Sequence, residues 1–313
     1  MTRYGLQLPD FSWIVDADPA TTMDRLRDVA GAAEEAGFSS LWVMDHLLQL
    51  PPLGGPTAPI LEGYTTLGAL AALTRTVELG TLVTGVTYRN PSLLAKQIAT
   101  LDSLSGGRAI LGIGAAWYEE EHEAYGWEFP PVRERFAMLR EAVAICRGMF
   151  DEETFTYTGQ HFHVVGARVV PRPLRRIPIM IGGSGEKVTL RLVAELADMC
   201  NIGGTASVVS RKLAALDAHC QATGRDPASV TRTAMVSLFV CATEADRDGL
   251  RQLVGYDNPE VSDRMIIATG DEATEQLGAV VTAGVDEIIV NLPLAKDIDA
   301  VHTAASVLRD ATS

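Results

Sequence analysis

The chain has 313 residues, 47% of them apolar, enough to bury a large core. Its formal net charge of −14 makes nucleic acid and anionic membrane poor partners. No apolar run approaches the roughly 18 residues of a membrane helix, and Thr2-Arg3-Tyr4 leads straight into a strand-like segment without a signal-peptide core, which predicts a cytoplasmic protein.

Residues 4–8 read as a strand. Residues 21–36 carry apolar positions at helical spacing, with Asp18 or Thr21 near the cap and Gly37 as the stop. A strand over 40–44 precedes a proline- and glycine-rich loop over 49–62, a helix over 64–74 and a strand over 77–83. Asn90-Pro91 opens a helix over 91–105, and Gly106-Gly107 closes it. A fourth strand over 108–113 and an amphipathic helix over 133–150 follow.

The rhythm then breaks for a hairpin over 154–164. It resumes with strands over 177–181, 199–202, 234–241 and 287–291, and helices over 186–197, 208–223, 244–254, 272–283 and 298–309. Eight strands, each followed by helix, predict an α/β fold: a (β/α)8 TIM barrel with an insertion before the fifth strand, one domain over 1–313. The first turn, Pro9-Asp10-Phe11-Ser12-Trp13, lacks the glycine pattern of a dinucleotide-binding open sheet.

In a TIM barrel the active site lies at the carboxyl ends of the strands. The second strand ends there in Asp45-His46, the sharpest candidate for catalysis. A histidine exchanges protons near neutrality, and the adjacent carboxylate would orient it or hold a cofactor group. A loop pair making local hydrogen bonds is the plainer reading. Gly182-Gly183-Ser184-Gly185 precedes a helix, so its backbone N–H groups and the helix dipole would hold a phosphate, with Arg191 or Lys187 adding charge; a tight turn is the alternative.

His122, in a run of glutamates, reads as part of a solvated helix face; His161, His163, His219 and His302 also read as structural. Lys96, Lys187, Lys212 and Lys296 fall on helices or their starts, against a Schiff-base enzyme. No His-Glu-x-x-His or Cys-x-x-Cys occurs, so no metal site is expected and the four cysteines read as buried hydrophobes. What remains suits an organic cofactor that carries the chemistry itself.

The segment from Tyr88-Arg89-Asn90-Pro91 through Leu101-Asp102-Ser103-Leu104-Ser105-Gly106-Gly107-Arg108, followed by Leu111-Gly112-Ile113-Gly114-Ala115-Ala116-Trp117-Tyr118-Glu119-Glu120-Glu121, resembles the hallmark stretch of luciferase-like monooxygenases. Within that superfamily it is most similar to the actinobacterial F420-dependent oxidoreductases. The stretches Ile177-Pro178-Ile179-Met180-Ile181-Gly182 and Ala283-Gly284-Val285-Asp286-Glu287 extend the resemblance along most of the chain.

The resemblance implies a homodimer with a flavin or deazaflavin in the barrel mouth. Asp45 and His46 then contact the deazaflavin near the reacting carbon. Leu82-Val83 forms a third-strand bulge, often with a non-proline cis peptide, behind the ring. Gly182, Gly183, Ser184 and Gly185 take the phosphate, and Ile202 and Gly203 line the cofactor. Trp117 and Glu120 stand where some sugar-phosphate dehydrogenases of the family carry a glutamate and an asparagine, a departure from that substrate. The expected activity is hydride transfer between F420 and a small organic substrate. An FMN-dependent monooxygenase fed by a separate reductase and a non-catalytic flavin-binding barrel are the alternatives.

Overall fold

In a computed structural model the chain is described over residues 2–12, 21–295 and 297–313; Trp13, Asp18 and Lys296 lie outside these ranges. Apolar, β-branched runs form the strands. Eight of them close a parallel ring: β1 (Arg3–Leu8), β2 (Ser40–Val43), β3 (Glu78–Thr81), β5 (Ala109–Gly114), β8 (Ile179–Gly182), β9 (Met199–Gly203), β10 (Thr231–Val240) and β12 (Glu287–Asn291), the last pairing back onto β1. The expected barrel is therefore present. Helices α1 (Thr22–Ala36), α2 (Gly63–Leu73), α3 (Pro91–Ser105), α4 (Glu119–Tyr125), α5 (Val132–Asp151), α6 (Thr189–Leu196), α7 (Ala206–Ala222), α8 (Glu244–Val254), α9 (Pro259–Ser262), α10 (Gly270–Thr282) and α11 (Ile298–Thr312) fill the connections.

Two details differ from the sequence reading. The third strand stops at Thr81 rather than running to Val83 and resumes as β4 (Thr84–Gly85); the Leu82–Val83 peptide between them is cis, as the family resemblance implied. A further strand, β11 (Met265–Ala268), pairs with Ser237–Val240 of β10, beyond the point where β12 leaves it. Its four residues are too short a run to stand out from the flanking helices. The expected hairpin is the antiparallel pair β6 (Phe155–Thr158) and β7 (His163–Ala167), before the fifth barrel strand. Its turn is pinned by Glu141 of α5, whose carboxylate accepts the N–H groups of Gln160, His161 and Phe162 at 2.7, 3.0 and 3.0 Å.

Strand side chains alternate between two buried faces. Ala109, Leu111 and Ile113 face the helices, while Ile110 joins Trp42, Leu82, Met180, Met199 and Ile289 inside the barrel. At the amino ends of the strands the buried carboxylate of Glu287 accepts hydrogen bonds from Ser40 and Ser39 at 2.5 and 3.1 Å and pairs with Arg3 at 3.3 Å. Burial pushes this carboxyl above the usual range, with Arg3 pulling against it. Three strands, β1, β2 and β12, thus meet on one acid at the closed end, which leaves the opposite end for chemistry.

Candidate active site

Val83 packs against the ends of β5 and β8. A Cβ added to Gly114 would come within 2.8 Å of its Cγ2, and one added to Gly182 within 2.7 Å of its Cγ1. Only glycine at the ends of β5 and β8 leaves room for this valine. The bulge is held from the first and last strands as well. Gln7 Nε2 donates to the Leu82 carbonyl at 3.1 Å, and Asn291 Nδ2 donates to Gln7 Oε1 at 2.7 Å. Gln7 is buried, and its place inside the first strand gave no sign of this task.

Successive side chains of an extended segment point to opposite sides. Asp45 and His46 accordingly go to different partners. Arg89 clamps Asp45 in a fork, at 2.5 and 2.9 Å, and reaches Glu62 at 2.7 Å; its guanidinium lies 4.6 Å from the ring centre of Tyr64. Burial pushes the Asp45 carboxyl up from the usual carboxylate range, and the Arg89 charge opposes this. Both oxygens are thereby engaged, so Asp45 does not orient its neighbour.

Glu121 does. His46 Nδ1 lies 2.9 Å from Glu121 Oε2, which also accepts the Tyr88 hydroxyl; Oε1 accepts the N–H groups of Leu47 and, at 2.8 Å, Leu48. Burial alone would raise Glu121, but the donors from His46, Tyr88 and Leu48 outweigh it and hold the carboxyl below the ordinary glutamate value. An ionised carboxylate only accepts, so Nδ1 carries the hydrogen and Nε2 is left without a partner among the described residues. The expected solvated face of α4 is therefore corrected. Glu121 and His122 are both fully buried, because each has polar partners inside: His122 Nδ1 meets the Tyr118 carbonyl at 2.8 Å and Nε2 the Thr87 hydroxyl at 2.7 Å.

Trp117 flanks His46. Trp117 is 61% exposed, stacks on Tyr118 with centroids 5.2 Å apart, and presents its ring 5.6 Å from His46. Tyr118 donates to Glu120 at 2.9 Å.

Across the mouth, Gly183 has φ +131, a conformation only glycine adopts readily, and Ser184 Oγ accepts the Gly203 N–H at 3.4 Å. The helix after this turn opens at Thr189, three residues later than expected, behind an exposed loop. Arg191, expected to add charge here, pairs instead with Glu195 at 2.8 Å. Ile202 turns its side chain into the helix-facing core, so only its backbone is available to the mouth. Asp45, Val83, Gly114 and Gly183 all stand at the carboxyl end of the barrel.

The family model described as luciferase-like monooxygenase matches residues 3–279. A protein of Kineococcus radiotolerans named F420-dependent glucose-6-phosphate dehydrogenase is 37% identical over 218 residues, 68% of this chain and 63% of the relative. One of the same name from Intrasporangium calvum is 30% identical over 292 residues, 83% and 86%. The chain spans 63%, 48% and 50% of the first three such relatives. Among solved structures, an F420-dependent secondary alcohol dehydrogenase superimposes with a TM-score of 0.82 at 20% identity over 99% of both chains. The EDTA monooxygenase of Chelativorans gives 0.79 at 16% identity, covering 98% of this chain and 94% of that one.

Proposed function

Because the chain belongs to the luciferase-like monooxygenase family, we propose that it is an oxidoreductase that uses the deazaflavin coenzyme F420 to move a hydride to or from a small organic substrate. The observation that carries this reading is His46 at the barrel mouth, held by the buried Glu121 through Nδ1. The F420-dependent names of relatives at 37% and 30% identity support it.

The residues present fit such a coenzyme. Val83 over Gly114 and Gly182 makes an apolar wall for a flat ring, and the exposed Gly183–Ser184–Gly185 turn offers backbone donors to a phosphate. When bound, the coenzyme supplies the hydride acceptor or donor. The chain's part is proton handling and position. With Nδ1–H committed to Glu121, Nε2 takes a proton from a substrate hydroxyl as hydride departs, or returns it in the reverse direction. Asp45 fixes the end of β2 through Arg89, and Trp117 borders the substrate side of His46. Trp117 and Glu120 depart from the sugar-phosphate pattern, so glucose 6-phosphate is not assigned as the substrate.

The same reading takes the protein as a one-domain cytoplasmic homodimer. No helix among the described residues is long and apolar enough to cross a membrane. Titrating the purified chain with F420 and with FMN, followed by fluorescence quenching, tests the proposal. Tighter binding of F420 is expected; FMN binding without deazaflavin binding would replace this reading by the monooxygenase one.

A further inference from the structure

The turn between β5 and α4 is built to present one side chain. Ala116 has φ +60, the left-handed region that residues other than glycine rarely enter. Such a conformation persists only where its surroundings impose it. Here they do so from both sides. Arg135 of α5 donates to the Ala115 carbonyl at 3.0 Å and lays its guanidinium 3.9 Å from the ring centre of Phe129. His122 Nδ1 lies 2.8 Å from the Tyr118 carbonyl, which can only accept, so Nδ1 donates and Nε2 accepts the Thr87 hydroxyl at 2.7 Å. Arg135 and His122 are both buried.

Between these anchors stands Trp117. An exposed aromatic alone needs no explanation. This one is held in place while it is exposed. Tyr118, buried, stacks on it with centroids 5.2 Å apart and planes at 23°, and the Tyr118 hydroxyl is tied in turn to Glu120. The indole plane is thereby fixed from one side, and most of the remaining ring is open. The ring lies 5.6 Å from that of His46 at 73°, so the open aromatic surface adjoins the imidazole whose Nε2 is left for substrate. Charge narrows what would lie there. Glu119 and Glu120 are exposed beside the indole, and Arg89 is committed to Asp45 and Glu62. An anionic substrate would meet carboxylates on this wall, and a saturated ring would forgo the stacking that an indole offers.

We propose that Trp117 is the substrate shelf and selects a flat, uncharged aromatic alcohol or the matching carbonyl compound, stacked on the indole with its reacting carbon toward His46. The chemistry of the proposal rests on the deazaflavin reading above; the binding does not. In the oxidative direction the carbinol C–H bond breaks and its electron pair leaves as hydride to the deazaflavin, the hydroxyl proton passes to His46 Nε2, and the C=O bond forms. Reduction of the carbonyl compound is the same step reversed. Trp117 takes no part in the transfer. It determines which ring is held where the transfer occurs.

The test uses two ketones that differ only in the ring, acetophenone and cyclohexyl methyl ketone. Each is titrated into protein isotopically labelled in its tryptophan indoles, with and without oxidised F420, which has no hydride to give them. The Trp117 signal is identified by its loss in Trp117→Phe. Acetophenone should shift that signal saturably and bind about threefold to tenfold more tightly than the cyclohexyl ketone, the range of an aromatic pair. A Trp117 signal that neither ketone moves, or that both move with equal affinity, overturns the proposal. With F420 as acceptor, kcat/KM should favour 1-phenylethanol over 1-cyclohexylethanol by the same range. Trp117→Leu should lose that preference, and Trp117→Phe should keep part of it. A preference unchanged in Trp117→Leu overturns the shelf and leaves the deazaflavin reading standing. Acetophenone binding at Trp117 in a protein that takes up no F420 keeps the shelf and removes the deazaflavin.

Discussion

Glu121 and His46, 75 residues apart in sequence, meet through one hydrogen bond of 2.9 Å that leaves a single imidazole nitrogen for the mouth. Glu121 spends its remaining acceptor capacity on Tyr88, Leu47 and Leu48, so the histidine, the strand exit and the third-strand loop are fixed by one carboxylate.

Replacing Glu121 by Gln places an amide N–H against donors it cannot satisfy. Stability at neutral pH should fall by about 1–3 kcal/mol. The folded-state pKa of Glu121 lies below its ordinary value. Its stabilisation is therefore present above the ordinary glutamate pKa of about 4.3 and is lost as pH falls through the folded value. Urea unfolding of both proteins across acidic pH should show the gap closing on acidification. A gap that widens there would remove the ionised carboxylate from the account.

His46→Asn should keep cofactor affinity within a few-fold and depress turnover by about 10²–10⁴. Quenching titrations and steady-state rates on one variant separate the two quantities. Intact turnover at saturating cofactor would take His46 out of the proton-transfer step.

Asp45→Asn leaves the Arg89 guanidinium, whose side chain is 12% exposed, with half its charge partners. The expected cost is about 3–5 kcal/mol, seen as a lowered denaturation midpoint. A melting curve like wild type together with lost activity would restore Asp45 to direct chemistry.

Gly114→Ala forces a methyl against Val83, where the ideal Cβ would sit 2.8 Å from Cγ2. Overpacking of this kind costs about 1–3 kcal/mol. The double variant with Val83→Ala should recover stability, because the clash is removed from the other side. Failure of the second change to rescue the first, read by thermal unfolding, would show that the two residues do not share the space.

Much of the barrel was legible because buried parallel strands read as short apolar runs and their helices as amphipathic ones. The ends of α3 follow directly from Asn90-Pro91 and Gly106. What escaped did so for physical reasons. Glu119-Glu120-Glu121-His122 has the composition of a solvated face, and burial of two of its members depends on donors contributed by Leu47, Leu48, Tyr88 and Thr87, which lie far away in sequence. Local pattern also cannot tell which of two adjacent side chains faces the mouth, so from sequence Asp45 is a candidate either for the orienting task that Glu121 performs or for holding a cofactor group. Gln7 was invisible because its partners, the Leu82 carbonyl and the Asn291 amide, lie far away in sequence.

The pairing of Arg3 with Glu287 joins residues 284 apart. In synthesis β1 precedes β12, so one side of that seam waits for the other. Until the last strand leaves the ribosome, β1 has β2 on one edge and nothing on the other, and the acid that gathers Arg3, Ser39 and Ser40 has not yet been made. No nascent chain lacking β12 can close the ring. Non-local pairing of this kind slows folding and leaves a strand edge open to wrong partners meanwhile. The same adjacency places the first and last strands side by side, so joining the termini and reopening the chain in an exposed loop preserves every barrel pairing.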